Sequence, residues 1–165
     1  MKRFKIGEFV VNSGQIKVSD PCYVSDEWCN TDFKAVDGKY NVYIVPDKDG
    51  CVGMLVAIHT NDDYDIENFI WEEAESVGVD SGTMSICDLA YYDKHHKSTL
   101  DEEWYLHFIC KELNQYMILE NAGCVSSSGY GDGNYPVDVV YESEDSDKIC
   151  AVRVQFLEVE DDWNE

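Results

Sequence analysis

Two stretches of this chain repeat each other, and the repeat limits the fold more than any other feature. "VVNSGQIKVSDPCY" begins at Val10 and "GVDSGTMSICDLAY" at Gly78. Val11, Ser13, Gly14, Asp20 and Tyr23 recur as Val79, Ser81, Gly82, Asp88 and Tyr91, each shifted by 68 (79 − 11). In each copy the residues after Ser-Gly alternate: Ile16 and Val18 in the first, Met84 and Ile86 in the second. A period of two predicts a strand. The Ser-Gly pair suits a turn, because glycine accepts backbone angles that other residues avoid. Asp20 and Asp88 then fall just past the strand, where a carboxylate accepts backbone N–H bonds.

A second echo lies elsewhere. "GKYNVYIV" from Gly38 matches "GNYPVDVV" from Gly133 at a shift of 95 (133 − 38). Each copy predicts the first strand of a hairpin. One turns at Pro46–Gly50 and returns as "CVGMLVAIH"; the other turns at the acidic "ESEDSD" and returns as "KICAVRVQFLEV". Two helices complete the reading. "DDYDIENFIWEEAESV" puts Ile66, Phe69, Ile70, Ala74 and Val77 on one stripe. "STLDEEWYLHFICKELNQYM" opens with Ser98 and Asp101 in capping-box spacing and would bury Leu100, Trp104, Phe108 and Ile109. The expected architecture is α+β: a single domain of two related halves, with a mostly antiparallel sheet and two main helices. The first half runs over about 1–77 and the second over about 78–160, with an acidic tail over 158–165.

Charge narrows the function classes. Thirty-four Asp and Glu stand against 12 Lys and Arg, for a formal net charge of −22. Direct nucleic-acid binding is excluded, since it needs cations to displace phosphate counterions. The field draws basic protein surfaces instead. The partner-binding candidates are the acidic runs: Asp101, Glu102 and Glu103, then Glu142, Glu144, Asp145 and Asp147. Seven scattered cysteines without CxxC spacing read as reduced, mostly buried residues of a cytoplasmic protein. No apolar run suits a signal peptide or a membrane span, so no membrane partner is expected.

Candidate chemistry gathers at three places. Asp20, Asp88 and Asp132, all at turns, are candidate oxygen ligands for a divalent cation, Ca²⁺ or Mg²⁺, if they converge. Zn²⁺ would need His59, His95, His96 or His107 with distant cysteines; His95-His96 reads as a solvated loop. Cys22 beside Asp20 and Tyr23 is the best-placed nucleophile, but acidic surroundings suppress the thiolate. The Gly-rich "SSSGYGDGNYPVDVV" opens a strand rather than a helix, so it is not a dinucleotide fingerprint. It reads as a turn positioning Tyr135 and Pro136, with Tyr130 and Asp132 exposed to a ligand. The ligand-binding candidates are therefore Cys22, Tyr23, Tyr130, Asp132 and Tyr135.

"VNSGQIKVSDPCY" and "SSSGYGDGNYPVDVV" together resemble a family of small, uncharacterised bacterial and phage proteins. That family pairs an N-terminal SG…DPCY segment with a C-terminal GxGDGxYPV segment. The matching positions are Ser13, Gly14, Asp20, Pro21, Cys22, Tyr23, Gly131, Asp132, Gly133, Tyr135 and Pro136. The resemblance bears on fold and origin. In the second repeat Leu89-Ala90 replaces Pro21-Cys22, so chemistry at Cys22 would not be duplicated. The expectation is a non-enzymatic acidic binding protein, in its fuller form a phage- or mobile-element-encoded inhibitor. Such an inhibitor would engage a basic host surface by nucleic-acid mimicry. The alternative is a small metal-dependent hydrolase, or a metal or small-ligand binding module, at Asp20, Asp88 and Asp132.

Overall fold

A computed structural model describes residues 3–23, 27–96 and 103–159. Among these residues eleven strands form two sheets. The first contains β1 (Phe4–Val11), β4 (Gly38–Pro46), β5 (Val52–His59), β11 (Ile149–Gln155), β10 (Gly133–Tyr141) and β6 (Glu72–Val79), in that spatial order. The second runs β3 (Asn30–Lys34), β2 (Gln15–Ser19), β7 (Thr83–Asp88), β9 (Gly123–Ser127) and β8 (Tyr116–Ile118). All the strand pairings are antiparallel.

The main core draws on both sheets. Alternation sends Tyr40, Val42 and Ile44 of β4 inward, where they meet Phe9, Ile16, Val18, Met84, Ile86 and Val137. Tyr43 and Val45 of the same strand face outward, into a second cluster with Met54, Val56, Val140 and Cys150. Tyr64, Ile66, Phe69 and Trp71 cover that outer face. The outer face of the second sheet carries a third cluster, built on Cys87, Tyr92, Trp104, Ile109 and Val125.

Strand bounds and registers follow the sequence echoes. β1 and β6 differ by 68 at both ends, and β4 and β10 by 95 at both ends. In the second sheet Val18 pairs with Ile86, its own counterpart at a shift of 68. In the first sheet β5 and β11 meet at the centre, with Val56 opposite Arg153. Both predicted hairpins form, β4–β5 and β10–β11.

The helices depart from expectation. The 62–77 segment is not a helix: a short 3₁₀ turn, Ile66–Asn68, leads into β6, and Ile70 is 81% exposed. Pairing with β10 along Glu72–Val79 outweighs the helical propensity of "EEAE", a weak local preference against a full strand partner. A seven-residue helix, α1 (Leu89–His95), follows β7 with Asp88 as its N-cap. The second predicted helix is π-helical over Glu103–Ile109, becomes α2 over Cys110–Glu112, and ends there rather than at Met117. Tyr116 and Met117 already belong to β8. Trp104 and Ile109 are buried as expected, while Ser98, Leu100, Asp101 and Glu102 lie outside the described residues.

Candidate functional site

The two repeats hold each other. Gly14 (φ 72°) and Gly82 (φ 76°) supply the left-handed residue that each Ser-Gly turn needs. Asp88 closes the first turn: its Oδ1 accepts from the Asn12 N–H (3.0 Å), the Ser13 N–H (2.9 Å) and the Ser13 hydroxyl (2.7 Å). Asp20 closes the second: its Oδ2 accepts from the Asp80 and Ser81 N–H groups, both at 2.8 Å, and its Oδ1 from the Ser81 hydroxyl at 2.6 Å. Each carboxylate also takes a local amide, Cys22 N–H on Asp20 (3.0 Å) and Tyr91 N–H on Asp88 (3.3 Å). Each aspartate accepts four hydrogen bonds and is almost fully buried, 0% and 5% exposed.

This arrangement sets the three candidate metal ligands, Asp20, Asp88 and Asp132, in different surroundings. Asp88 pairs with Ile16, four residues along β2 from Asp20, so the two carboxylates sit about 13 Å apart at ordinary strand rise. Asp132 is exposed on the Gly-rich turn, which joins the Asp20 end through Ser128 N–H to Gly82 O (3.1 Å). Among the described residues no group of three or more His, Cys, Asp or Glu is arranged to hold a metal ion. His95 and His96 are not in a solvated loop but close α1 against Trp104, His95 stacking on the indole at 5.1 Å. The ring of His59 bonds Asp37 O and Asn61 N–H, and the His107 side chain lies outside the described residues.

The other candidates disperse. Cys22 is exposed rather than buried, as is Cys110. Partial burial, then Asp20, Cys110 and Asp80, push the Cys22 thiol up, which works against a nucleophile. The Tyr23 hydroxyl donates to Asp80. Tyr135 turns inward, donating to Gly131 O (2.7 Å) and packing edge-on against Phe156. Tyr130 is 71% exposed beside a cavity of about 550 Å³ lined also by Asp47, Lys48, Leu157 and Val159. Its hydroxyl lies 3.3 Å from both Asp47 and Asp49 carboxylates.

A broad concave feature lies on the outer face of the first sheet. It is a cleft of about 720 Å³ between the 63–72 segment and the end of the β10–β11 hairpin. Tyr64, Phe69, Ile70, Val140 and Tyr141 give it apolar walls, and Asp63, Asp65, Glu72, Glu142 and Glu144 give it five carboxylates. Among the described residues no lysine or arginine lines it. The five acids are exposed and none is ion-paired with a described residue. Among the described residues the Asp65 side chain accepts from Asn68 (2.6 Å) and that of Glu142 from Ser146 (2.8 Å). At the floor, burial and then nearby Glu142 push the Cys150 thiol up to about 11, so it stays protonated at neutral pH. Tyr64 is raised as well, by burial and then by Cys150, Glu142 and Asp63.

Of the acidic candidates, the cleft unites Glu142 and Glu144. Asp145 stays off its lining, and Asp147 is ion-paired with Lys34 at 2.9 Å. Asp101, Glu102 and the Glu103 side chain lie outside the described residues. The opposite wall, Asp63 to Glu72, went unrecognised because its residues read as a helix. Its signal was the interleaving of acids with Tyr64 and Phe69 in "DDYDIENF". No helix among the described residues is long and apolar enough to cross a membrane. No protein-family model, curated protein or solved structure matches the chain significantly.

Proposed function

We propose that this is a non-enzymatic binding protein that engages a basic protein surface through the cleft between residues 63–72 and 140–146. The observation that carries this reading is five exposed carboxylates around apolar walls, with no lysine or arginine among the described residues that line the cavity. A cationic partner gains charge complementarity there, and the exposed Ile70 and Tyr141 offer apolar contact that a simple counter-ion would not use. The net charge of −22 extends the reading to mimicry, with carboxylates standing where phosphates lie on a basic groove. The resemblance to a bacterial and phage family fits an inhibitor of that kind, acting in the cytoplasm, where seven free thiols stay reduced. The metal-hydrolase alternative loses its motive, because Asp20 and Asp88 already accept four hydrogen bonds each. The matching strand bounds and registers support the further proposal that the two halves are related copies.

Fluorescence anisotropy with a labelled Arg/Lys-rich peptide tests the partner reading. Affinity should fall steeply from low to high salt, and the Glu144→Lys variant should bind about tenfold or more weakly. Asp145→Lys, one residue from the cleft lining, should cost much less. Equal losses from both variants would show that bulk charge attracts the peptide and would remove the cleft from the argument.

A further inference from the structure

The outer face of the first sheet already holds a buried guanidinium, and the way it is held indicates what the cleft is suited to take. Arg153 is 4% exposed; its Nε donates to Asp138 Oδ2 at 3.0 Å, and its guanidinium carbon lies 4.3 Å from the centre of the Trp71 ring. Aromatic face and carboxylate come from two elements, the segment before β6 and strand β10. The same two elements continue into the walls of the cleft. From Trp71 the aromatic row proceeds to Phe69, ring centres 6.1 Å apart, and on to Tyr64, 6.4 Å further. On the facing side β10 proceeds from Asp138 through Val140 to Glu142 and Glu144 at its hairpin end. The pattern of aromatic surface opposite carboxylate is thus repeated in the cleft, with the cation to be supplied from outside.

We infer that the cleft selects an arginine side chain, presented by an extended basic segment of the partner with an apolar neighbour that seats on Ile70 and Tyr141. This rests on the reading of the cleft as the site for a basic partner. Arginine fits the lining better than lysine for physical reasons. Its planar guanidinium is weakly hydrated, stacks on an aromatic ring and matches a carboxylate with two parallel donors. A lysine ammonium holds its water more tightly and meets the same walls as a point charge. The row of rings therefore discriminates between two cations that the carboxylates alone would treat alike.

The test compares two capped peptides, one alternating arginine with leucine and one alternating lysine with leucine. Both are titrated into isotope-labelled protein, following amide shifts of residues 63–72 and 140–146. The arginine peptide should bind about three- to tenfold more tightly. Phe69→Leu, which keeps an apolar side chain against the sheet, should erase that preference while leaving the lysine peptide's affinity nearly unchanged. Circular dichroism and the amide spectrum report whether the variant keeps the fold. If Phe69→Leu does not fold, Tyr64→Leu gives the same decision, since it removes the next ring of the row and leaves the carboxylates in place. Equal affinity for the arginine and lysine peptides overturns arginine selection and leaves the basic-partner reading standing. Failure of both peptides to shift the cleft residues overturns both.

Discussion

Carboxylates occur here in two opposite situations. Asp20 and Asp88 are buried and saturated, each accepting four hydrogen bonds from turn amides and a serine hydroxyl. Asp63, Asp65, Glu72, Glu142 and Glu144 are exposed, and the described residues offer their side chains two donors, Asn68 and Ser146. The chemical group is the same; the difference is what the backbone around it has to spare. A Ser-Gly turn leaves amides pointing one way with no strand partner, and a buried carboxylate satisfies them at once. A hairpin end and a surface segment have no such surplus, so their charges stay directed at solvent and at whatever approaches. The first group holds the two sheets' central turns in place, and the second is left for recognition.

Removing a saturated carboxylate should have the largest effect. Asp20→Ala and Asp88→Ala each strand several buried donors, which predicts a loss of about 3–5 kcal/mol by urea unfolding. The two losses should be alike, because three of the four donors on each carboxylate correspond at the 68-residue shift. Ser81→Ala, which removes a single hydroxyl from the Asp20 group, should cost about 1 kcal/mol. In combination with Asp20→Ala it should add almost nothing, since both changes break the same contact. A loss below about 1 kcal/mol for either aspartate would show that the turns hold themselves and would dissolve the contrast.

Much of this structural group was legible beforehand, and the reason is physical. A turn that needs left-handed glycine, a strand with period-two burial and a carboxylate past its end leave a fixed signature, here written twice 68 residues apart. The reciprocity was not legible. A sequence shows that Asp20 suits a turn, but only the β2–β7 register puts it on the turn at Ser81 rather than on its own. Helix placement failed where tertiary pairing overrode local preference: Ile66, Phe69 and Ile70 lie at helical spacing, yet their segment runs over the sheet as an irregular cover. The 68-residue shift, carried back from Val11–Val79 to Phe4–Glu72, was the signal that could have marked β6. The cleft was half legible. Glu142 and Glu144 stood out as an acidic hairpin end, while the opposite wall comes from a segment 70 or more residues away and becomes adjacent only through the β10–β6 pairing.

Neutralising the exposed group should scarcely move stability. Glu142→Gln/Glu144→Gln removes repulsion among five close carboxylates and strands no buried donor. The urea midpoint should stay within about 0.5 kcal/mol of the parent or shift upward. The same variant should weaken binding of the arginine peptide, so stability and binding respond to opposite groups of acids. A loss as large as that of Asp20→Ala would mean the cleft carboxylates are structural after all.

Asp147 sharpens the contrast from between the two extremes, since it is exposed but has one cation. Its hydrogen bond and ion pair with Lys34 hold the carboxyl below its ordinary value, and the same contact raises Lys34. The sign follows from linkage. A carboxyl lowered by folding favours the folded state above its unfolded value, and the benefit fades as pH falls through the lowered one. The raised lysine favours the folded state below its own unfolded value and loses that benefit as pH climbs past the raised one. The pair thus contributes across the neutral range and disappears toward either extreme. Both partners are at the surface, so salt screens the contact and its effect is the smallest of those considered. In a carbon-detected pH titration, Asp147 should titrate lower in the parent than in Lys34→Ala. If Asp147 titrates alike in both proteins, the ion pair is not held in solution, and Asp147 joins the cleft acids as a charge left open to a basic partner.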